Sequence, residues 1–407
     1  MMFLSVFLIF ALSIFDGRAS YFGVALFLLV GVVQVCFFSS TISARKLNSQ
    51  QFFVFILPLF IFFSWCYGVV IGLLNGVNVS YVFTNFAGLA LYVIFYLFYF
   101  SVGIKVSKKA LFFSAICSAG FAFYSVYSAF AVVGGGGDSS GIGLADLRTL
   151  YSSAFLYVVP FLFICLVSLF LQTDNKFGFS GYVRAFFWLA VFSFTLIVPA
   201  MSKGFILVFL IMFMFIFLAG YSSALRHLAI GRNLFIMTLV VIAVSIALLL
   251  FTNLYEVILF SFSSGEGSNS VRSEQFDYLV SEWNFTGAGL GSSLDSGYKR
   301  DETGYGFELT YVNLVNKLGV FSLPLFLSYA STIFYGLKFF FLDGKRVSGA
   351  WVLGSMAFLI PGAGNPLLLA PVFVFMHFLA IMLIITELCP DGNTDEGNET
   401  ESGAVGS

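Results

Sequence analysis

The sequence predicts an all-α, polytopic membrane protein with about 12 transmembrane helices and one long loop on a single face. Three observations lead there. Hydrophobic residues make up 60% of the 407, aromatics 19% and charged residues only 10%, a composition that excludes a soluble globular chain of this length. Apolar runs long enough to cross a bilayer recur from one end to the other. The net charge of -1 conceals a strong segregation of lysine and arginine between the connections.

Taken in order with a window of roughly 20 apolar residues, the spans fall near 2–15, 20–38, 51–74, 80–103, 110–133, 149–171, 183–201, 203–219, 234–253, 311–337, 348–360 and 366–386. The first and eleventh are short, as tilted or re-entrant segments are. Met1 to Phe15 has no positively charged leader, so an uncleaved first helix is expected. Cys36, Cys66, Cys117, Cys165 and Cys389 lie in apolar spans or the tail, which gives no disulfide framework. The chain therefore reads as one helical domain, 1–387, with a polar segment 253–307 inserted, followed by an acidic tail, 388–407, of disordered composition.

Orientation follows from the cations. With the N-terminus cytoplasmic, the inner connections hold Arg45, Lys46, Lys105, Lys108, Lys109, Lys176, Arg184, Arg226, Arg232, Lys338, Lys345 and Arg346. The short outer connections hold only Arg18, Arg148 and Lys203. Segment 253–307 then faces outward and the tail inward.

That outward segment is the expected site, because ordinary connections between spans are short. It sets Arg272, Lys299 and Arg300 among Glu256, Glu266, Glu274, Asp277, Glu282, Asp295, Asp301 and Glu302. A cation kept in such surroundings is either paired with an acid or held for an anionic ligand. Arg272 has Glu274 close by, and Lys299-Arg300 beside Asp301-Glu302 reads as a solvated turn. Lys203, in Ser202-Lys203-Gly204, either snorkels to headgroups or aims a charge into the bundle at a helix start that favours anions. Thr310, Asn313 and Lys317 share one helical face that is expected to turn inward toward a wet cavity. Trp283, Tyr298, Tyr305 and Tyr311 are either interfacial belt residues or platforms for sugar rings. Gly287, Gly289 and Gly291 follow no strand and read as a tight outer turn rather than a nucleotide loop. Gly134 to Gly143 reads as a flexible lip ahead of Arg148, and His377 as a packing histidine within a span.

The order Arg272, Trp283, Gly287/Gly289/Gly291, Glu308 and Leu318-Gly319, with Ser202-Lys203-Gly204 and Arg148 before it, resembles the O-antigen polymerase and O-antigen ligase superfamily over about residues 140–340. The resemblance implies a metal-independent, C-type integral-membrane glycosyltransferase of a bacterial inner membrane with no cofactor, its long loop periplasmic. Its expected partners are undecaprenyl-pyrophosphate-linked oligosaccharides, membrane lipids and, as a candidate, a chain-length regulator, with no nucleic acid. Arg272 and Glu308 are then the expected catalytic pair, with Asp277 and Glu282 as other bases. Arg148, Lys203, Lys317, Trp283, Tyr305, Gly287, Gly289 and Gly291 are expected to bind substrate. The chain departs from the pattern at Lys203, where lysine replaces a bidentate arginine. It also has no outward histidine, which favours polymerase over ligase; a flippase or transporter is the reading from another class.

Overall fold

In lipid, a long apolar run can satisfy its backbone N–H and C=O groups only internally, and the α-helix does so within one segment. The computed structural model describes residues 1–15, 19–38, 47–134, 152–171, 179–198, 203–224, 267–300, 302–364 and 369–388, and over these it contains helices and no strand. Six helices are long and apolar enough to cross a membrane: Ser20–Phe37, Ser49–Leu74, Ile104–Ser128, Ser180–Ile197, Lys203–Tyr221 and Thr310–Leu342. Shorter apolar helices cover Met2–Leu12, Ala87–Ser101, Ala154–Phe170 and Pro371–Glu387. The expected span at 234–253 lies outside the described residues, as do Arg148, His227, residues 135–151 and the tail from 389.

In chain order the helices are α1 (Met2–Leu12), α2 (Ser20–Phe38), α3 (Ser49–Leu74), α4 (Val79–Thr84), α5 (Phe95–Ser101), α6 (Ile104–Gly134), α7 (Val159–Phe170), α8 (Phe179–Ile197) and α9 (Lys203–Ala224). They continue with α10 (Gly267–Ser281), α11 (Thr310–Leu318), α12 (Leu323–Leu337), α13 (Arg346–Ser355), α14 (Leu359–Gly362) and α15 (Pro371–Glu387). The segment expected as one span at 80–103 is instead broken into α4, a 3-10 stretch Ala87–Ile94 and α5. Phe86 takes φ 53, ψ 33 there, a left-handed conformation that cannot continue a helix. A second change of pitch, the 3-10 turn Gly319–Ser322, joins α11 to α12.

Helix α15 is the axis of the bundle. Every residue from Pro371 to Ile385 is buried, which matches a helix that is apolar all round rather than on one stripe. Its one ionisable side chain there, His377, is fully satisfied: Nδ1 lies 2.8 Å from the Tyr92 hydroxyl, and Nε2 lies 3.2 Å from Thr332 and 3.4 Å from Ser328. Tyr329 closes the network at 3.3 Å from Tyr92. The packing role expected for His377 is what its surroundings describe.

The two ends of α15 are chemically different. At its C-terminal end Lys345 reaches the Glu387 carboxylate at 2.9 Å, Ser348 donates to the same group at 2.6 Å, and Arg346 donates to the Leu171 carbonyl at 3.1 Å. Asn48, which caps α3, lies at that end too, 3.4 Å from the Leu388 carbonyl. The opposite end carries the C-terminus of α3, the N-terminus of α9, α10 and the irregular chain 282–309.

That irregular chain is fastened by backbone to the membrane helices. Ala288 N donates to Asn316 O at 2.9 Å, Gly289 N to Lys317 O at 3.0 Å, Leu290 N to Gly68 O at 2.9 Å, and Val320 N to Phe285 O at 2.9 Å. Gly287, Gly289 and Gly291 have φ of 80°, 85° and 73°, and a Cβ on any of them would meet backbone at 2.4 to 2.6 Å. The tight turn expected from their sequence is present, and its glycines are buried against α3, α4 and α11. The reason is steric: only a residue with no side chain lets two backbones approach this closely.

Gly289→Ala is expected to lower stability by about 3 kcal/mol or more, combining left-handed strain with a backbone collision. Gly297→Ala has similar strain, φ 76°, but nothing within 4 Å, and is expected to cost only about 1 kcal/mol. Thermal unfolding of the two purified variants checks the difference; equal losses would remove the docking role of Gly289.

Candidate functional site

Most of the polar segment's described part is organised around α10, which the sequence reading treated as loop. Its inward face carries Gln275 and Leu279, both buried, at i and i+4, while Glu274 and Asp277 are exposed. Leu279, Leu294 and Phe307 form a small apolar core of their own, with Tyr278 stacked on Tyr298 at 4.5 Å between ring centres. The C-terminal carbonyls of α10 would otherwise be orphaned; the buried Asn316 amide donates to Leu279 O at 3.1 Å.

Residue 308 is where this cap becomes chemical. The Gln275 side-chain oxygen accepts from Glu308 N at 3.0 Å and holds the backbone, and the Glu308 carboxylate bridges two guanidinium groups. Arg272 Nε approaches Oε2 at 3.1 Å, and Arg300 approaches Oε1 through Nη2 at 2.9 Å and Nε at 3.3 Å. All three side chains are partly exposed, 30% for Arg272, 45% for Arg300 and 26% for Glu308. The acid that Arg272 meets is Glu308, 36 residues on, and Arg300, partly exposed in its turn, reaches the same carboxylate.

Arg272 also leads to a second convergence. Its Nη2 lies 3.5 Å from the Gly364 carbonyl, just beyond α14. The Tyr311 hydroxyl donates to the Leu359 carbonyl at the start of α14. At the N-terminus of α9, a Cβ on Gly204, next to Lys203, would lie 2.8 Å from Pro361 within α14. Arg272, Tyr311 and the helix start that carries Lys203 therefore surround one short segment, 359–364. Below it, an apolar cavity of about 190 Å³ is lined by residues of α7, α9 and α13 together with Leu359 and Ile360.

The other expected site residues fall elsewhere. Lys317 is 0% exposed, donates to Asn316 Oδ1 at 3.2 Å and lies 5.7 Å from the Phe307 ring centre, so it braces the cap and does not line an open site. Trp283, at the end of α10, is 49% exposed. The Tyr305 hydroxyl lies 2.9 Å from Thr84 Oγ1 at the rim of a separate cleft. Of the three carboxylates considered as base, Glu308 has both oxygens on arginines. Glu282 accepts from Asp295 N at 2.6 Å and Ser296 N at 2.9 Å. Asp277 stands five residues from Arg272, roughly 140° round the helix. Gln275 and Asn316 escaped the sequence reading; the signal for Gln275 was its i+3 spacing from Arg272, which puts the two on one face.

Neither the family models nor the curated proteins contain a match to this chain.

Burial opposes the charge on Glu282, but hydrogen bonds from Ser296 and Asp295 and the nearby Lys317 charge outweigh it and hold the carboxyl below its ordinary value. A depressed folded value means stability that is present above the unfolded value and lost as pH falls through the folded one. Glu282→Gln is therefore expected to lower the melting temperature at neutral pH, with the gap to wild type closing as pH drops below the usual carboxylate range. A gap that is independent of pH would assign Glu282 to packing alone.

Proposed function

We propose that this chain is a polysaccharide repeat-unit polymerase of the O-antigen polymerase type. It transfers a polyprenyl-pyrophosphate-linked glycan onto another lipid-linked repeat unit at the periplasmic face of a bacterial inner membrane. In this reading the chain crosses the membrane about 12 times, with both termini cytoplasmic. The cap built from 267–309 then lies in the periplasm, and the Lys345–Glu387 end faces the cytoplasm.

The observation that carries the reading is the convergence at 359–364. A lipid-linked diphosphate sugar is amphipathic at one point, with an anionic head joined to a long apolar tail. Arg272 and the Lys203-bearing start of α9 adjoin the segment from above, and the apolar cavity adjoins it from below. Cations at the head and hydrocarbon at the tail are what such a donor requires.

In the transfer, an acceptor hydroxyl attacks the anomeric carbon while the bond to the diphosphate oxygen breaks and its electrons move onto the leaving group, and the hydroxyl proton passes to the departing diphosphate, directly or through water. Fixed guanidinium and ammonium groups beside that oxygen stabilise the developing charge. Glu308 sets Arg272 and Arg300 side by side and is a positioning residue. A carboxylate with each oxygen on a guanidinium is poorly disposed to accept a proton as well.

Arg272→Ala, with membrane insertion confirmed, is expected to cut polymerisation by about 10²–10³-fold, the usual effect of removing one oxyanion donor. Gel analysis of the surface polysaccharide would then show single lipid-linked repeats and no ladder. A ladder of unchanged length would sink the assignment.

A further inference from the structure

A second cleft opens at the same end of the bundle, about 310 Å³ in volume, between the α4 end, residues 305–307, α11 and the start of α15. We infer that it is a saccharide subsite, taking a neutral, hydroxyl-bearing ring that donates a hydrogen bond to Asn313.

The first observation is an unpaired acceptor. Asn313 is 2% exposed, its Nδ2 donates to the Tyr305 carbonyl at 3.4 Å, and its Oδ1 has no partner among the described residues. A buried amide oxygen left unpaired is destabilising, so its retention on the wall of a cleft calls for a ligand that supplies a donor. Because the amide nitrogen is already engaged, the missing group is an O–H or N–H.

Shape and charge narrow the ligand. The cleft, open to solvent, far exceeds the roughly 10–15 Å³ of cavity volume that one water needs, so it has room for a ring-sized ligand. No lysine, arginine, aspartate or glutamate is among the lining residues, which disfavours a phosphate or an ammonium group. The walls are aromatic, from Tyr21, Phe86, Tyr305 and Phe307, and the Thr84–Tyr305 hydroxyl pair sits at the rim. Apolar ring faces with a few hydroxyls between them suit a pyranose, whose two faces are C–H and whose edge is O–H. Phe86 also holds its left-handed backbone at this wall, a strained conformation of the kind that clusters at ligand sites.

The position fits the transfer. Residues 305–307 form one wall and lead directly into Glu308, so one stretch of chain sets both the sugar cleft and the paired guanidiniums. The identification of the ring as part of a lipid-linked glycan rests on the proposed function; the cleft's preference for a neutral sugar does not.

The test uses the full chain in lipid nanodiscs, with saturation-transfer NMR to free methyl glycosides of a neutral hexose and an N-acetylhexosamine. Transfer is expected with wild type and with Arg272→Ala, and is expected to fall by about tenfold or more in Asn313→Leu, which loses the hydrogen bond. Because Asn313→Leu also removes the unpaired oxygen, it is expected to melt no lower than wild type. If it fails to fold, Tyr305→Leu at the rim is expected to lower the transfer in its place. No transfer to wild type, or undiminished transfer in the folded variant, overturns the inference. Sugar transfer that persists while Arg272→Ala leaves polymer length untouched would refute the polymerase reading and leave the cleft standing.

Discussion

The close backbone contact between residues 285–291 and the ends of α3 and α11 is the constraint on which the rest of this structure depends. Four backbone hydrogen bonds cross it, from Ala288, Gly289, Leu290 and Val320. At particular points along this contact the neighbouring atoms come so close that a Cβ would collide with them. Gly68 and Gly72 on α3, Gly319 after α11, and the three glycines of the turn all meet this requirement. The polar cap is thereby held to the helices of the bundle by backbone contacts as well as by side chains.

Fixing the cap fixes a charge arrangement. Once α10 and residues 305–309 are set against each other by Gln275 and Asn316, Glu308 has a defined position between Arg272 and Arg300. Two guanidiniums thus meet on one carboxylate at a partly exposed place. At exposures of this order the pairs add little to stability, because solvent and salt screen them. Under the proposed function their value is geometric: the carboxylate presents two guanidiniums at set positions, where charge that develops on a ligand would be met without reorganisation.

The contrast with the middle of the bundle is instructive. Around His377 every polar atom with a described contact is engaged by another side chain, as burial demands where no water is at hand. Asn313 Oδ1 at the cleft departs from that rule, as do Trp65 Nε1, Ser101 Oγ, Gln275 Nε2 and Ser355 Oγ among the described residues; of these only Asn313 lines the cleft.

Composition and hydropathy alone determined that this is a helical chain with membrane-spanning segments, and six of the expected spans coincide with helices long and apolar enough to cross a membrane. Both follow from local physics: a lipid solvent allows few backbone solutions, and apolar length is written directly in the chain. The break at Phe86 was not legible, because a left-handed phenylalanine arises from packing and leaves no glycine to mark it. Nor was the pairing of Arg272 and Arg300 with Glu308. A neighbour such as Glu274 is an equally good partner by charge, and only the folding of α10 against residues 305–309 brings Glu308 between the two arginines. Lys317 shows the same limit: its helical face did turn inward, but whether the amine would meet a wet cavity or a closed wall of Phe307 and Asn316 depended on contacts made across long separations in the chain, which tertiary packing alone decides.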